Sequence, residues 1–223
     1  MNNKPLLIKS KLLEKNCPAF HCFSTRNGDT TGTGIGNIVF PKQVHGDRII
    51  IADGQNTAKE DADAVITREP KIPIGILTAD CVPVIVTDRL NRVGAVIHSG
   101  WKGTVQNIAG KTIRKIVEIS GAKASELFAA VGPSIGSCCY EVGEDVALKF
   151  KQEFDGRLDV VEKRNEKFFV SLRDAVALEL QREGISRSNI DVLDYCTFCD
   201  EELFYSYRRD GKSAGRMSAI LML

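Results

Sequence analysis

The sequence predicts a mixed α/β (α+β) fold, a single domain with a largely sheet core. Three observations favour this class. Short β-type runs recur through the first half of the chain, a helical period begins only after Gly103, and the later strands and helices alternate without the even βα spacing of a barrel. Several β-type runs are apolar throughout, which is typical of strands covered on both faces.

The elements follow from these patterns in chain order. The first half predicts six strands, at residues 20–25, 49–52, 64–67, 72–77, 83–87 and 93–98. Apolar residues from Val105 to Val117 then follow helical spacing, with Thr104 as the expected N-cap and Gly121 as the end.

The second half predicts a strand at 127–131 and a helix at 144–154. Ser171 and Asp174 form a variant of the capping box and open a helix that ends near Glu183, before Gly184. Three further strands are expected, at 190–193, 204–207 and 218–223. The glycine-rich segment 30–36 is expected to be a loop, and it is no dinucleotide loop because residues 37–41 cannot open the helix such a loop requires.

Composition excludes several functions. The 223 residues carry a formal charge of +1, so no global field attracts nucleic acid or anionic lipid, and one domain spanning residues 1–223 is expected. No apolar run reaches the roughly 18 residues that span a bilayer, and no export signal is visible. Seven cysteines, an odd number, favour reduced thiols or metal ligands over a disulfide framework. We therefore expect a cytoplasmic protein; the sequence carries no information on oligomeric state.

Two histidines and one cysteine stand in polar, glycine-flanked contexts that favour a shared site. Cys81 follows a predicted strand, His98 closes another, and His45 precedes Gly46 upstream. Two imidazoles and one thiolate can hold zinc and leave the fourth position open, as catalytic sites require. Taken alone, Cys81 could instead be a small buried hydrophobic side chain, and His98 a hydrogen-bonded histidine of the core.

The same atoms permit a second chemistry without metal, in which Cys81 is a nucleophile, His98 its base and an Asp the orienting group. Asp63 and Asp80 are the candidate catalytic acids, since clustered carboxylates raise one another's pKa toward neutrality. For the neighbouring Glu60 and Asp61, a solvated acidic turn is the alternative.

Two further motifs stay open. The lone CxxC at 196–199 is either redox-active or joins Cys138 and Cys139 in a structural zinc site. Arg208 and Arg209 form a basic turn that either grips phosphate or carboxylate or is a plain solvated hairpin.

Several of these motifs together resemble the laccase-domain family, which has been labelled multicopper polyphenol oxidoreductase, purine nucleoside phosphorylase and peptidoglycan editing factor. The matching segments occur in the family's order from about residue 20 to the C-terminus; they are Phe23-Ser24-Thr25-Arg26, Lys42-Gln43-Val44-His45-Gly46, Asp61-Ala62-Asp63-Ala64, Thr78-Ala79-Asp80-Cys81, Ile97-His98-Ser99-Gly100-Trp101-Lys102-Gly103-Thr104, Gly132-Pro133-Ser134-Ile135-Gly136 and Ser206-Tyr207-Arg208-Arg209-Asp210.

The resemblance implies β-sheets sandwiched between helices and zinc held by His45, Cys81 and His98. It also implies phosphorolysis of adenosine, inosine and methylthioadenosine, with adenosine deaminase activity alongside, so purine nucleoside and phosphate are the expected partners. Copper is disfavoured, because a multicopper centre needs many His ligands and the chain has three.

Substrate contacts are expected from Arg26, Gln43, Lys102, Arg208 and Arg209.

The chain departs from the family pattern between Arg26 and Gln43, where only Asn37 matches the family Asn, so Asn37 completes the predicted substrate residues. Two rival functions remain: a metal-free Cys-His hydrolase that edits cell-wall precursors, and a non-enzymatic module that binds nucleosides.

Overall fold

The computed structural model describes residues 6–28, 35–52, 60–155, 157 and 159–223, and the predicted loop at 30–36 therefore lies largely outside the described residues. The strands are β1 (Leu7–Ile8), β2 (Phe20–Ser24), β3 (Ile49–Ala52), β4 (Ala64–Thr67), β5 (Ile74–Thr78), β6 (Val82–Asp88), β7 (Gly94–Ser99), β8 (Leu127–Val131), β9 (Glu141–Val142), β10 (Val161–Arg164), β11 (Lys167–Val170), β12 (Ile190–Val192) and β13 (Met217–Met222). The α-helices are α1 (Lys11–Asn16), α2 (Trp101–Val105), α3 (Ile108–Ser120), α4 (Glu144–Glu153), α5 (Leu172–Arg182) and α6 (Tyr207–Asp210).

These strands form three sheets. A six-stranded sheet has the order β12-β8-β6-β7-β4-β3, with parallel pairs at its two ends and antiparallel pairs between them. A four-stranded antiparallel sheet has the order β1-β2-β13-β5, and a small sheet has the order β10-β11-β9.

Side chains of the six-stranded sheet alternate between two apolar layers. Val84 and Val86 of β6 pack in the cluster that includes residues of α3, α4 and α5, whereas Ile85 packs in the cluster shared with the four-stranded sheet. Leu13 of α1 belongs to this second cluster. Because both faces are covered, β6, β7 and β8 are buried along their whole length. The predicted mixed α/β class, with sheets between helices, is confirmed.

Most predicted elements of the described residues occur within two residues of their expected bounds. The exceptions are the strand at 204–207 and the helix after Gly103, and the latter is two helices. Thr104 lies inside α2 instead of capping a helix, and Asn107 is the N-cap of α3, with a φ of 56° and a side-chain oxygen that accepts the Gly110 N–H. Gly121 ends α3 in the left-handed region, as predicted.

The predicted strand at 204–207 is wrong. Ser206 is the N-cap of α6, and its hydroxyl accepts the backbone N–H of Arg209. The basic turn is therefore helical. Short α1 and the hairpin of β10 and β11 were not anticipated, since neither carries a long periodic apolar pattern. Within the described ranges, no helix combines the length and apolar character that crossing a bilayer demands.

Candidate metal centre and active site

Strand register brings Cys81 and His98 to one corner of the six-stranded sheet. β6 and β7 pair antiparallel with Val82 opposite Ser99, so the turn carrying Cys81 lies beside the end of β7. His98 is the penultimate residue of β7 and is buried. Cys81 directly precedes β6 and His98 lies within β7, so the pairing of these two strands holds both side chains in place.

His45 reaches the same corner from a separate segment. Residues 39–42 lead to His45. The Gly75 N–H of β5 donates to the Val39 carbonyl (3.0 Å), and the Ala62 N–H, two residues before β4, donates to the Lys42 carbonyl (3.1 Å), so this segment is tied to both large sheets. His45 then adopts a φ of 57°, a left-handed conformation that few residues other than glycine adopt. This bend accompanies the approach of His45 to the other two side chains.

The structure brings the three predicted metal ligands together. The ligand atoms of His45, Cys81 and His98 all lie within 4.8 Å of one another. The two imidazole rings meet edge to face, with centroids 4.8 Å apart. His98 is buried, Cys81 is partly exposed and His45 is exposed, so the cluster opens to solvent on the His45 side. Two imidazoles and a thiolate with an open side suit a catalytic metal ion.

Gly100 leaves room for this cluster. A Cβ atom at this position would lie 3.0 Å from Cys81 Sγ and 3.4 Å from His45 Cδ2. Any side chain here would push against two of the three candidate ligands.

Asp63 organises the cluster from behind. Its buried carboxylate accepts hydrogen bonds at Oδ1 from His98 Nδ1 (2.7 Å) and the His45 N–H (3.0 Å). Oδ2 accepts the N–H groups of Gly46 (2.7 Å) and Val44 (3.2 Å). One carboxylate thus orients the ring of one candidate ligand and the backbone of another. With Nδ1 engaged, His98 has Nε2 left for a metal or a thiol.

Electrostatics favour the ionised forms of Asp63 and Cys81 in the metal-free protein. Burial works to raise the pKa of Asp63, but the hydrogen bonds from His98 and Gly46 outweigh it and hold the pKa below its usual range. Burial likewise opposes a Cys81 thiolate, yet the charge of His98 and hydrogen bonds from His45 and His98 lower the pKa of Cys81 to about 6. Cys81 in turn raises the pKa of His98, against the effect of burial.

Asp80, the other predicted acid, is held on several sides. Oδ1 accepts the Thr197 hydroxyl (2.6 Å), and Oδ2 accepts the Arg208 N–H (2.7 Å) and the Ser206 hydroxyl (3.1 Å). Its φ of 88° places the turn before Cys81 in a conformation that these bonds stabilise. The structure thus gives both carboxylates a positioning role; proton transfer by either one stays a prediction.

Arg26, a predicted substrate residue, contacts a backbone carbonyl and an aromatic ring of its own chain. Arg26 donates to the Glu201 carbonyl (2.6 Å), and its guanidinium lies 4.9 Å from the centroid of the Tyr205 ring. With Arg216 it lines a cavity of about 470 Å³, whose lining includes none of His45, Cys81 and His98.

Two other predicted contacts have clear neighbours. The Gln43 side chain exchanges two hydrogen bonds with the backbone of Leu77, 2.8 and 2.7 Å long, and so ties its loop to β5. The Lys102 ammonium lies 5.7 Å from the centroid of the Trp101 ring. Asn37 is exposed, with a φ of 54°.

Both residues of the arginine pair donate to backbone carbonyls of their own chain, and substrate contact by either one stays a prediction. Arg209 donates to the carbonyls of Thr197, Phe198 and Phe204 and forms an ion pair with Asp210. The Arg208 backbone contacts Asp80, and its guanidinium donates to the Glu141 carbonyl (2.9 Å).

Sequence reasoning missed Tyr140 as a neighbour of the site. Burial raises the pKa of Tyr140, and the nearby Cys81 thiolate adds to the effect. The Arg208 guanidinium lies 5.2 Å from the centroid of the Tyr140 ring. No local pattern marks this tyrosine, because its position depends on the turn that precedes β9.

A mixed α/β protein with a solvent-open His-Cys-His cluster is the class that the fold and site define. The chain belongs to the family described as multi-copper polyphenol oxidoreductase laccase, which its residues 23–223 match. The resemblance drawn from the sequence motifs is thereby confirmed.

Relatives within this family carry enzyme names. The chain is 37% identical over 187 residues to a purine nucleoside phosphorylase of Clostridium acetobutylicum, covering 83% of this chain and 77% of that protein. It is 35% identical over 196 residues to adenosine deaminase RL5 of an unknown prokaryotic organism, covering 83% and 74% of the two chains. The crystal structure of YlmD from Geobacillus stearothermophilus has the same fold, with a TM-score of 0.87 at 23% identity over 100% of this chain and 97% of that one.

Proposed function

We propose that this protein is a zinc-dependent purine nucleoside phosphorylase acting on adenosine, inosine and methylthioadenosine, with adenosine deaminase as a second activity. The observation that carries the proposal is the convergence of His45, Cys81 and His98 in front of the buried Asp63 carboxylate. The names of the relatives, phosphorylase and adenosine deaminase, point to the same chemistry. The chain is proposed to act as one cytoplasmic domain, residues 1–223.

The donor set favours zinc over copper. One thiolate and two imidazoles are ligands that zinc accepts, and an open fourth position is the mark of its catalytic sites. A multicopper centre requires many imidazoles, whereas the chain has three histidines, of which His21 lies in β2 and hydrogen-bonds to Ser10. Bound zinc would supply a Lewis acid and lower the pKa of a ligated water toward about 7.

In phosphorolysis, a phosphate oxygen forms a bond to C1′ of the ribose as the bond from C1′ to N9 of the purine breaks, and the departing base takes up a proton. Arg26 and Lys102 are the proposed phosphate-binding groups, and Asn37 and Gln43 the proposed contacts to the nucleoside. Asp63 keeps His98 in the tautomer that presents Nε2, and Asp80 holds the turn of Cys81. Arg208 and Arg209 shape the wall that carries Tyr140 and Thr197.

Deamination uses the same open side of the cluster. Water adds at C6 of adenosine, the bond from C6 to the amino nitrogen breaks, and ammonia and inosine are the products. Both reactions need the purine held against the exposed face of His45. One binding site therefore serves both.

A specific contact favours the rival hydrolase. His98 Nδ1 lies 2.7 Å from Asp63 Oδ1, and the imidazoles lower the pKa of Cys81, so the three residues also form a Cys-His-Asp arrangement for nucleophilic attack. In that reading Cys81 is acylated by an amide or ester of a cell-wall precursor, and His45 has no chemical role.

The decisive experiment incubates the purified protein with inosine or adenosine, with and without inorganic phosphate, and separates free base, ribose 1-phosphate and inosine. We expect the wild-type protein to release base only when phosphate is present. The His45→Ala variant should lose about one zinc ion per chain and, with it, phosphorolysis. Val44→Ala, whose side chain is exposed beside His45, is the matched control and should retain zinc and activity.

Each rival predicts a different result. If metal-free protein hydrolyses an amide or ester of a cell-wall precursor, and alkylation of Cys81 abolishes this hydrolysis, the hydrolase is established instead. Tight nucleoside binding with neither base release nor deamination would identify a binding module. Either outcome overturns the proposed phosphorylase.

A further inference from the structure

Four cysteines form a second cluster, separate from His45, Cys81 and His98. The sulfur atoms of Cys138, Cys139, Cys196 and Cys199 all lie within 4.8 Å of one another, although the two pairs are some sixty residues apart in the chain. Cys139 Sγ lies 3.3 Å from Cys199 Sγ, and Cys138 Sγ lies 3.8 Å from it. All four thiols are free.

We propose that Cys138, Cys139, Cys196 and Cys199 bind a structural zinc ion as a tetrathiolate site, in addition to the catalytic ion. Four thiolates arranged tetrahedrally at about 2.3 Å from zinc have sulfur atoms about 3.8 Å apart. The distance from Cys138 Sγ to Cys199 Sγ is 3.8 Å, that from Cys139 Sγ to Cys199 Sγ is shorter at 3.3 Å, and all four sulfurs lie within 4.8 Å of one another. An iron–sulfur cluster spreads its cysteines over several iron atoms, which requires wider sulfur spacings than a single ion does.

The backbone of both turns is built to hold the sulfurs. The N–H groups of Cys139 and Tyr140 donate to the Gly136 carbonyl, each at 3.0 Å, and shape the first turn. In the second turn the Asp200 N–H donates to the Cys196 carbonyl (2.9 Å), while Asp200 Oδ2 accepts the Cys196 N–H (3.2 Å). The two turns are preorganised before any metal binds.

Gly136 serves the cluster directly. Its N–H donates to Cys196 Sγ at 3.2 Å, the kind of outer contact that stabilises a metal-bound thiolate. A Cβ atom on Gly136 would lie 3.0 Å from Cys138 Sγ and 3.4 Å from Cys196 Sγ. Only glycine allows both sulfurs this close to the loop.

Charge near the cluster supports a tetrathiolate. Four thiolates and one divalent cation leave a net charge of about −2. Arg164 donates to the Ser137 carbonyl in the first turn, and Arg209 donates to the Thr197 and Phe198 carbonyls in the second. One guanidinium is thus bound to each turn. Each guanidinium also pairs with a carboxylate, Arg164 with Glu162 and Arg209 with Asp210, so their positive charges offset the charge of the site in part.

The proposed ion has a consequence for the first site. Thr197 lies between Cys196 and Cys199, and its hydroxyl donates to Asp80, the residue before Cys81. A metal that fastens the second turn to the first also fixes the residues that hold Asp80. The proposed ligands can be tested by substitution, since Cys138 and Cys199 are both exposed.

The test is metal content and coordination in full-length protein purified without chelator or added metal. We expect about two zinc ions per chain in the wild type and about one in the double variant Cys138→Ser with Cys199→Ser. Cys22→Ala, at a buried cysteine outside both clusters, is the matched control and should keep about two.

The His45→Ala variant separates this proposal from the proposed function. Its remaining zinc should show X-ray absorption from sulfur ligands alone, at about 2.3 Å. Zinc content unchanged by the double substitution, or His45→Ala protein that holds no zinc at all, would overturn the second site while leaving the first intact. A Cys139–Cys199 disulfide in the freshly purified protein, with no metal bound, would also overturn it. Cobalt added to metal-free wild type gives the same answer without substitution: absorption bands of a tetrathiolate support the site, and their absence refutes it.

Discussion

Replacing Asp63 with Asn should damage the metal centre and the fold together. The carboxylate accepts four hydrogen bonds, from His98 Nδ1 and from the N–H groups of Val44, His45 and Gly46. The Asn amide keeps one oxygen, which can accept two of these bonds. Its NH₂ group can only donate, and it would face the other two N–H donors. Two of the four bonds are therefore lost whichever way the side chain is oriented.

The magnitude follows from those two bonds. Hydrogen bonds to a charged group contribute about 1.5 to 3 kcal/mol each, so Asp63→Asn should lower the free energy of unfolding of the metal-free protein by about 3 kcal/mol or more. Changes to groups that orient metal ligands typically weaken metal binding about 10- to 100-fold, and the same range is expected for the proposed zinc ion. The pKa of Asp63 is lowered, so its contribution is present above the unfolded pKa of about 3.9 and is lost as pH falls through the folded value.

Urea unfolding at pH 7 measures the first quantity, and competition with a chromophoric chelator measures the second. Asp61→Asn is the matched control, because its exposed carboxylate forms an ion pair with Lys42. It should change stability by less than about 1 kcal/mol. An Asp63→Asn protein with stability and zinc affinity close to wild type would refute the positioning role. So would a deficit that persists undiminished at acid pH, where the wild-type carboxylate is itself protonated.

Three further predictions test the site and the core. In metal-free protein, alkylation of Cys81 should rise with pH around a midpoint of about 6, because its thiolate is the reactive form; a midpoint near roughly 8.5 would show that the imidazoles do not act on it. Gly100→Ala should weaken zinc binding about tenfold by crowding the thiolate, as chelator competition would report, whereas Gly36→Ala, with open space around its Cβ, should leave affinity unchanged. Phe23→Ala should cost about 3 to 5 kcal/mol in urea unfolding because the ring is buried between the sheets, and an equal loss in Leu90→Ala, where the side chain is 68% exposed, would contradict that account.

The sequence predicted well what depends on local pattern. Strands Ile49–Ala52, Ala64–Thr67 and Leu127–Val131 have the predicted bounds, because each is a short apolar run. The last two are buried on both faces, whereas the first lies at a sheet edge and exposes Ile51. The predicted start of the helix after Gly103 was wrong. The helical spacing of the apolar residues continues across Asn107, whereas the helical backbone is interrupted there by a left-handed residue. Periodicity reports which face is buried; it does not report a break between two helices on the same face.

For the site, the sequence by itself determined the three candidate ligands and the chemistry that a thiol and two imidazoles allow. Only the tertiary structure decided that Asp63 lies behind them, that Arg209 binds backbone carbonyls, and that the two cysteine pairs meet. The physical reason is that a residue type specifies which bonds a side chain can form, whereas strand register and turn geometry decide which partner lies within about 3 Å of it. That choice is made between segments far apart in the chain, and no local pattern encodes it.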